Sequence, residues 1–168
     1  MRDIYVSIPG VGNNRINTAH AYGGPDLLLK TVNENFKLKV DDYIRVIFYA
    51  FMDVIDEIGG VLIDVDADEQ QIMNNYIQQV FEEMKKLNLL EMHNVLETLL
   101  PEIATNLDEG ELLNLLLGAP DYLGYELISF RIPVNGGYEN ITIDGKSMLG
   151  IDIEKNRNAL IETIYGDK

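Results

Sequence analysis

Two rhythms of hydrophobic and polar positions run along the chain. Ile4-Tyr5-Val6-Ser7-Ile8 is crowded with β-branched and aromatic side chains and ends at Pro9-Gly10, which predicts a short strand, a turn and then a loop at Gly12-Asn13-Asn14. Past Tyr22-Gly23-Gly24 the rhythm changes. Pro25 and Asp26 suit a helix start, and Leu28, Val32 and Phe36 recur at spacing four, so a helix is expected from about Pro25 to Lys37. The stretch VDDYIRVIFY predicts a strand around Tyr43 to Phe48. A short helix from Ala50 to Ile58 follows, closed by Gly59-Gly60, and Val61 to Val65 reads as the next strand.

Further on, Ile72, Tyr76, Val80 and Met84 repeat every fourth position, which predicts a long helix from Ala67 to about Leu87. Helices are expected at Leu89 to Leu100 and at Glu109 to Leu117, the second capped by Asp108 and closed by Gly118. Tyr125 to Ile132 reads as a strand. Tyr138 to Leu149, interrupted by Asp144-Gly145, reads as a hairpin, and Asp152 opens a last helix that ends at Gly166. Strands alternating with helices imply an α/β class, a β-sheet core flanked by helices, and the 168 residues imply a single domain over 1–168.

Charge narrows the function classes. With 28 acidic against 13 basic side chains the net charge is −15, a balance that repels nucleic acid, so no nucleic-acid partner is expected. There is no cysteine, which removes disulfides, thiolate zinc sites and cysteine nucleophiles. No apolar run approaches the roughly 20 residues that cross a bilayer, and no signal peptide precedes Arg2, so the chain as given is expected to be soluble. His20 and His93 lack a second histidine at ligand spacing. Asp64, Asp66, Asp68 and Glu69 lack the glycine and final glutamate of a calcium loop and read as a solvated acidic turn. The leucines of Leu112 to Leu117 read as core, Asp56 as a helix-end or buried hydrogen-bonding residue, and Arg45 as half of a structural ion pair. Arg131 and Arg157 read as structural or surface groups. On residue type alone Arg2-Asp3 is a charged terminus and Arg15 a solvated arginine.

Order along the chain changes that reading. Arg2-Asp3, then Arg15-Ile16-Asn17-Thr18-Ala19 with Tyr22-Gly23-Gly24-Pro25, then Asp56 with Gly59-Gly60-Val61, together resemble the LytR-CpsA-Psr family. The stretch Leu87 to Gly166 is similar to the C-terminal part of clostridial members, through Thr105-Asn106-Leu107, Arg131-Ile132-Pro133 and Asp152-Ile153-Glu154-Lys155-Asn156-Arg157. The resemblance implies a cell-envelope phosphotransferase domain, extracytoplasmic and held at the membrane by an anchor absent from this chain. Its partners would be a polyprenyl pyrophosphate-linked anionic glycopolymer (teichoic acid or capsular polysaccharide) and peptidoglycan. It also implies roles: Arg2 on the pyrophosphate, Asp3 on a magnesium ion, and Arg15 facing the same phosphates. Leu28, Val32 and Phe36, with Phe51 and Val54, would line a slot for the polyprenyl chain. The chemistry is coherent, because cleaving a pyrophosphate develops charge on a leaving phosphate and forked guanidinium donors with a divalent ion stabilise it.

Two departures accompany the resemblance. Members carry strands and a second metal-binding Asp ahead of the Arg-Asp pair. Between Tyr76 and Val80 they insert an Arg-rich segment, where Asn75-Tyr76-Ile77-Gln78-Gln79-Val80-Phe81 here keeps helical phase. An impaired transferase is therefore the first expectation, and a non-catalytic module that binds polyprenyl phosphate, or a scaffolding or regulatory one, is the alternative.

Overall fold

The structure, a computed structural model, describes residues 3–61 and 69–166; the side chains of a few helical residues, Phe51 among them, lie outside that description. In chain order the elements are β1 (Ile4–Ile8), β2 (Gly12–Arg15), α1 (Thr18–Phe36), β3 (Ile44–Val46), α2 (Phe48–Glu57), α3 (Glu69–Met84), α4 (Leu89–Leu99), a single 3-10 turn (Leu100–Glu102), β4 (Ile103–Thr105), α5 (Glu109–Leu123), β5 (Tyr138–Ile143), β6 (Lys146–Ile151) and α6 (Ile153–Tyr165). This is a mixed α/β architecture, as the alternation of patterns predicts. The chain divides into two compact units, one formed by residues 1–41 with 130–168 and the other by 42–129.

The first unit is built on a four-stranded sheet in the order β2-β1-β6-β5. β1 runs parallel to β6, with Ile4 opposite Leu149, and every other neighbour is antiparallel. Alternation along β1 explains its central place. Ile4, Val6 and Ile8 are buried while Ser7 is exposed, so one face of the strand enters the core with Ile16, Phe36 and Ile132. Leu28 and Val32 of α1 and Leu160 of α6 pack around that cluster. Gly12-Asn13-Asn14 is not the loop its composition suggests. It is paired to β1 in full register, since a strand already in place can order a polar partner.

α1 has a break where the sequence places its start. Gly23 and Gly24 leave helical geometry, Gly24 at φ 65 and ψ −161, so one turn of helix ends before Pro25 and the long segment begins there. The β5–β6 turn also follows its sequence: Asp144 and Gly145 both adopt positive φ, as a two-residue hairpin requires. Asp152 caps α6 by accepting from the Lys155 N–H.

The second unit pairs the three-residue strands β3 and β4 antiparallel and packs α2 on α4, burying Val54, Ile55, Ile58 and Val95. Gly59 and Gly60 take the expected left-handed conformation after α2. α3 is one helix from Glu69 through Asn75–Phe81 to Met84, ending before the expected Leu87. The strand expected at Val61 to Val65 falls mostly outside the described residues, as do Asp64, Asp66 and Asp68 of the acidic turn.

Four expectations are corrected here. β3 stops at Val46, because Phe48 already begins α2. Gly118 does not end α5, which runs on through Pro120 to Leu123. A Cβ at Gly118 would come within 2.9 Å of the Tyr122 ring, so this glycine makes room for the ring instead. Tyr125 to Ile132 forms no strand, for it has no ladder partner among the described residues. Three of the α5 leucines are not core: Leu113, Leu115 and Leu117 are exposed.

Candidate functional site

Asp3 and Arg15 meet at one end of the first unit's sheet. β1 brings Asp3 to its start, and the return of the chain along β2 brings Arg15 opposite Tyr5. The Arg15 Nε lies 3.8 Å from Asp3 Oδ1, with roughly a third of the arginine side chain and half of the aspartate exposed. The Arg15 Nη2 donates to the Ser147 main-chain carbonyl at 2.7 Å. Its backbone is tied as well: the Arg15 N–H donates to Asn14 Oδ1, and the Thr18 hydroxyl donates to the Arg15 carbonyl at 2.6 Å. Thr18 and Asn14 thereby convert a polar, glycine-rich turn into a fixed support for one guanidinium.

Such an arrangement can do specific chemistry. The Nε–H is buried and makes no hydrogen bond among the described residues; a guanidinium carries forked donors of the kind that suit an anion. Asp3 contributes the negative charge. No group of three or more His, Asp or Glu side chains at metal-binding distance exists among the described residues. Asp3 is one carboxylate that could ligate a divalent ion, and magnesium completes its shell with phosphate and water oxygens.

Other expected site residues are distributed differently. Arg2 lies outside the described residues, and Phe51 is on α2 with its side chain outside them. Phe36 has no exposed surface and is centred in the first unit's core, so it lines no slot unless that core opens; Leu28 and Val32 are half-buried against it. Val54 is buried in the core of the second unit. Arg157 is structural as expected, donating from Nη2 to the Asn35 carbonyl at 2.9 Å. Arg45 is exposed on β3 and forms no ion pair among the described residues. Asp56, near the end of α2, accepts the Gly59 N–H with its main-chain carbonyl, the helix-end role expected of it. Sequence reasoning missed Ser147, because a main-chain carbonyl leaves no signature in residue type. It missed equally an open cleft of about 600 Å³ in the second unit, lined by Tyr43, Ile44, Leu107, Leu115 and Tyr122.

The LytR_cpsA_psr family model matches residues 1–78. The polyisoprenyl-teichoic acid–peptidoglycan teichoic acid transferase TagT of Bacillus subtilis is 48% identical over 73 residues, covering 42% of this chain and 23% of TagT. The regulatory protein MsrR of Staphylococcus aureus is 47% identical over 70 residues, covering 40% of this chain and 21% of MsrR. The chain thus matches less than a quarter of the length of these curated relatives. Among solved structures, TagT bound to LIIa-WTA superposes with a TM-score of 0.68 at 20% identity, covering 96% of this chain and 76% of that one. Residues 1–78 are thus similar to the LytR-CpsA-Psr family, and the α/β architecture is similar to that of the solved TagT structure.

Proposed function

We propose that the Asp3–Arg15 end of the sheet binds the pyrophosphate of a polyprenyl-linked anionic glycopolymer in the cell envelope, on the outer side of the membrane, as part of its transfer to peptidoglycan. The observation that carries this reading is the approach of Asp3 and Arg15 to 3.8 Å in the segment that the LytR_cpsA_psr family model matches. In the transfer an acceptor hydroxyl oxygen attacks the sugar-side phosphorus and the bridging P–O bond breaks. Polyprenyl phosphate leaves with the bridging oxygen, and the hydroxyl proton passes to solvent. Arg15 would hold a non-bridging oxygen and offset the charge that grows on the leaving phosphate. Asp3 would hold a magnesium ion, which when bound supplies further neutralisation of the phosphates. Leu28 and Val32, half-buried on α1, are the expected lipid-facing positions with surface to offer.

Titration calorimetry with farnesyl pyrophosphate, with and without magnesium, tests the reading. Binding is expected to depend on magnesium and to weaken about tenfold or more in Arg15→Ala, as loss of a charge-assisted hydrogen bond implies. Equal affinity in the variant would overturn it.

A second reading has its own support. α3 passes through Asn75–Phe81 as one uninterrupted helix without a single arginine, and the family match ends at residue 78. The chain would then bind the carrier without transferring its cargo. Carrier binding together with absent transfer in a reconstituted peptidoglycan assay selects this alternative; measurable turnover rejects it.

A further inference from the structure

Arg15 reaches a part of the chain that the family's sequence match does not include. Its acceptor, the Ser147 carbonyl, lies 132 residues further on. The sheet dictates where that carbonyl points. The Leu149 N–H donates to the Asp3 carbonyl at 3.0 Å, which turns residue 149 toward the β1 side. Backbone groups two residues apart on a strand face the same edge, so the Ser147 carbonyl faces that side as well. Paired register with β1 begins at Ile4 opposite Leu149; beyond it, Arg15 answers the carbonyl. The guanidinium is therefore hydrogen-bonded to Ser147 on β6 and lies 3.8 Å from the Asp3 carboxylate at the start of β1. The main chain at both residues is tied by backbone pairing. An arginine held in this way presents its remaining donors in one orientation, and less freedom is lost when an anion binds.

We infer that the β5–β6 hairpin, through the Ser147 main-chain carbonyl, is a positioning element of the anion site. This rests on the pyrophosphate reading above. Side-chain substitution cannot remove a carbonyl, so the test replaces Met148 by its α-hydroxy analogue, which turns the Ser147–Met148 amide into an ester with a weaker acceptor. The same change one bond earlier, at Lys146–Ser147, weakens a carbonyl on the β5 side and is the control. Inorganic pyrophosphate is the probe. The Ser147–Met148 ester is expected to weaken its binding about three- to tenfold, the control ester to leave it within about twofold, and neither ester to matter once Arg15→Ala is present. Similar losses from both esters, an unchanged loss on the Arg15→Ala background, or no loss at all would overturn the inference. If the unaltered chain does not bind pyrophosphate, the proposed function fails, and the clamp is read independently from the Arg15 Nε–Hε resonance. That signal should be sharp in the unaltered chain and broadened by the Ser147–Met148 ester alone; indifference to the ester refutes the clamp. Should the ester not fold, slow guanidinium rotation at Arg15 relative to exposed Arg131 supports the clamp, and equal rates refute it.

Discussion

Asn156 is fully buried, yet every polar atom of its side chain is used. Its Oδ1 accepts from the Val134 N–H at 2.8 Å, and its Nδ2 donates to the Gly137 and Asp152 carbonyls at 2.7 and 2.8 Å. The close approach of Gly137 completes the fit, since a Cβ there would lie 2.8 Å from Asn156 Nδ2. Asn156→Leu keeps the branched shape but strands these main-chain partners, so a loss of about 3 kcal/mol is expected from denaturant melts. Gly24 gives a second prediction of the same scale. Its backbone angles belong to a region that side chains make costly, although a Cβ there would touch nothing, so Gly24→Ala should cost about 1–3 kcal/mol through backbone strain alone. A melt unchanged by Gly24→Ala would mean that the break in α1 relaxes freely. Among candidate site residues, Arg15 is marked by its neighbours in sequence and Asp3 by the Arg2-Asp3 pair. The Ser147 carbonyl is not, because its part depends on register and not on chemistry of type.

Elements were read best where several local signals agreed. α6 had a capping Asp152, an apolar face and a final glycine, and the structure gives it the cap, the glycine and a face packed through Ile153 and Leu160, with Ile164 exposed. The β5–β6 hairpin was marked by Asp144-Gly145 at the turn. Reading failed where tertiary context ruled. β2 is polar and forms because β1 offers an edge; 125–132 is rich in β-formers and joins no sheet among the described residues; α5 passes through a glycine and a proline, with Tyr122 packed over Gly118. Differences between the two sheets lead to another prediction. β1 buries alternate residues in a four-stranded sheet, whereas β3 is three residues long and exposed throughout. Amide hydrogen exchange should therefore be markedly slower at Ile4, Val6 and Ile8 than at Ile44 and Val46. Comparable rates would show that the second unit's short pair is held by more than its own ladder.

For the molecule as a whole, charge and pattern set limits while connectivity supplied the rest. A net charge of −15 makes a local guanidinium essential for any phosphate ligand, since the average field opposes it. No described helix is long and apolar enough to cross a membrane. Pairing β1 with β6 brings the two extremes of the sequence together, something no periodicity could reveal. That pairing also dictates a timetable during synthesis. A ribosome adding about 5–20 residues per second needs on the order of ten seconds to travel from Arg15 to its acceptor, 132 residues away. Throughout that interval β1 has an open flank in the nascent chain, whereas residues 42–129 are contiguous and can collapse as they emerge. A chaperone that shields Ile4-Tyr5-Val6-Ser7-Ile8 should accordingly raise the yield of active protein more than one acting after release.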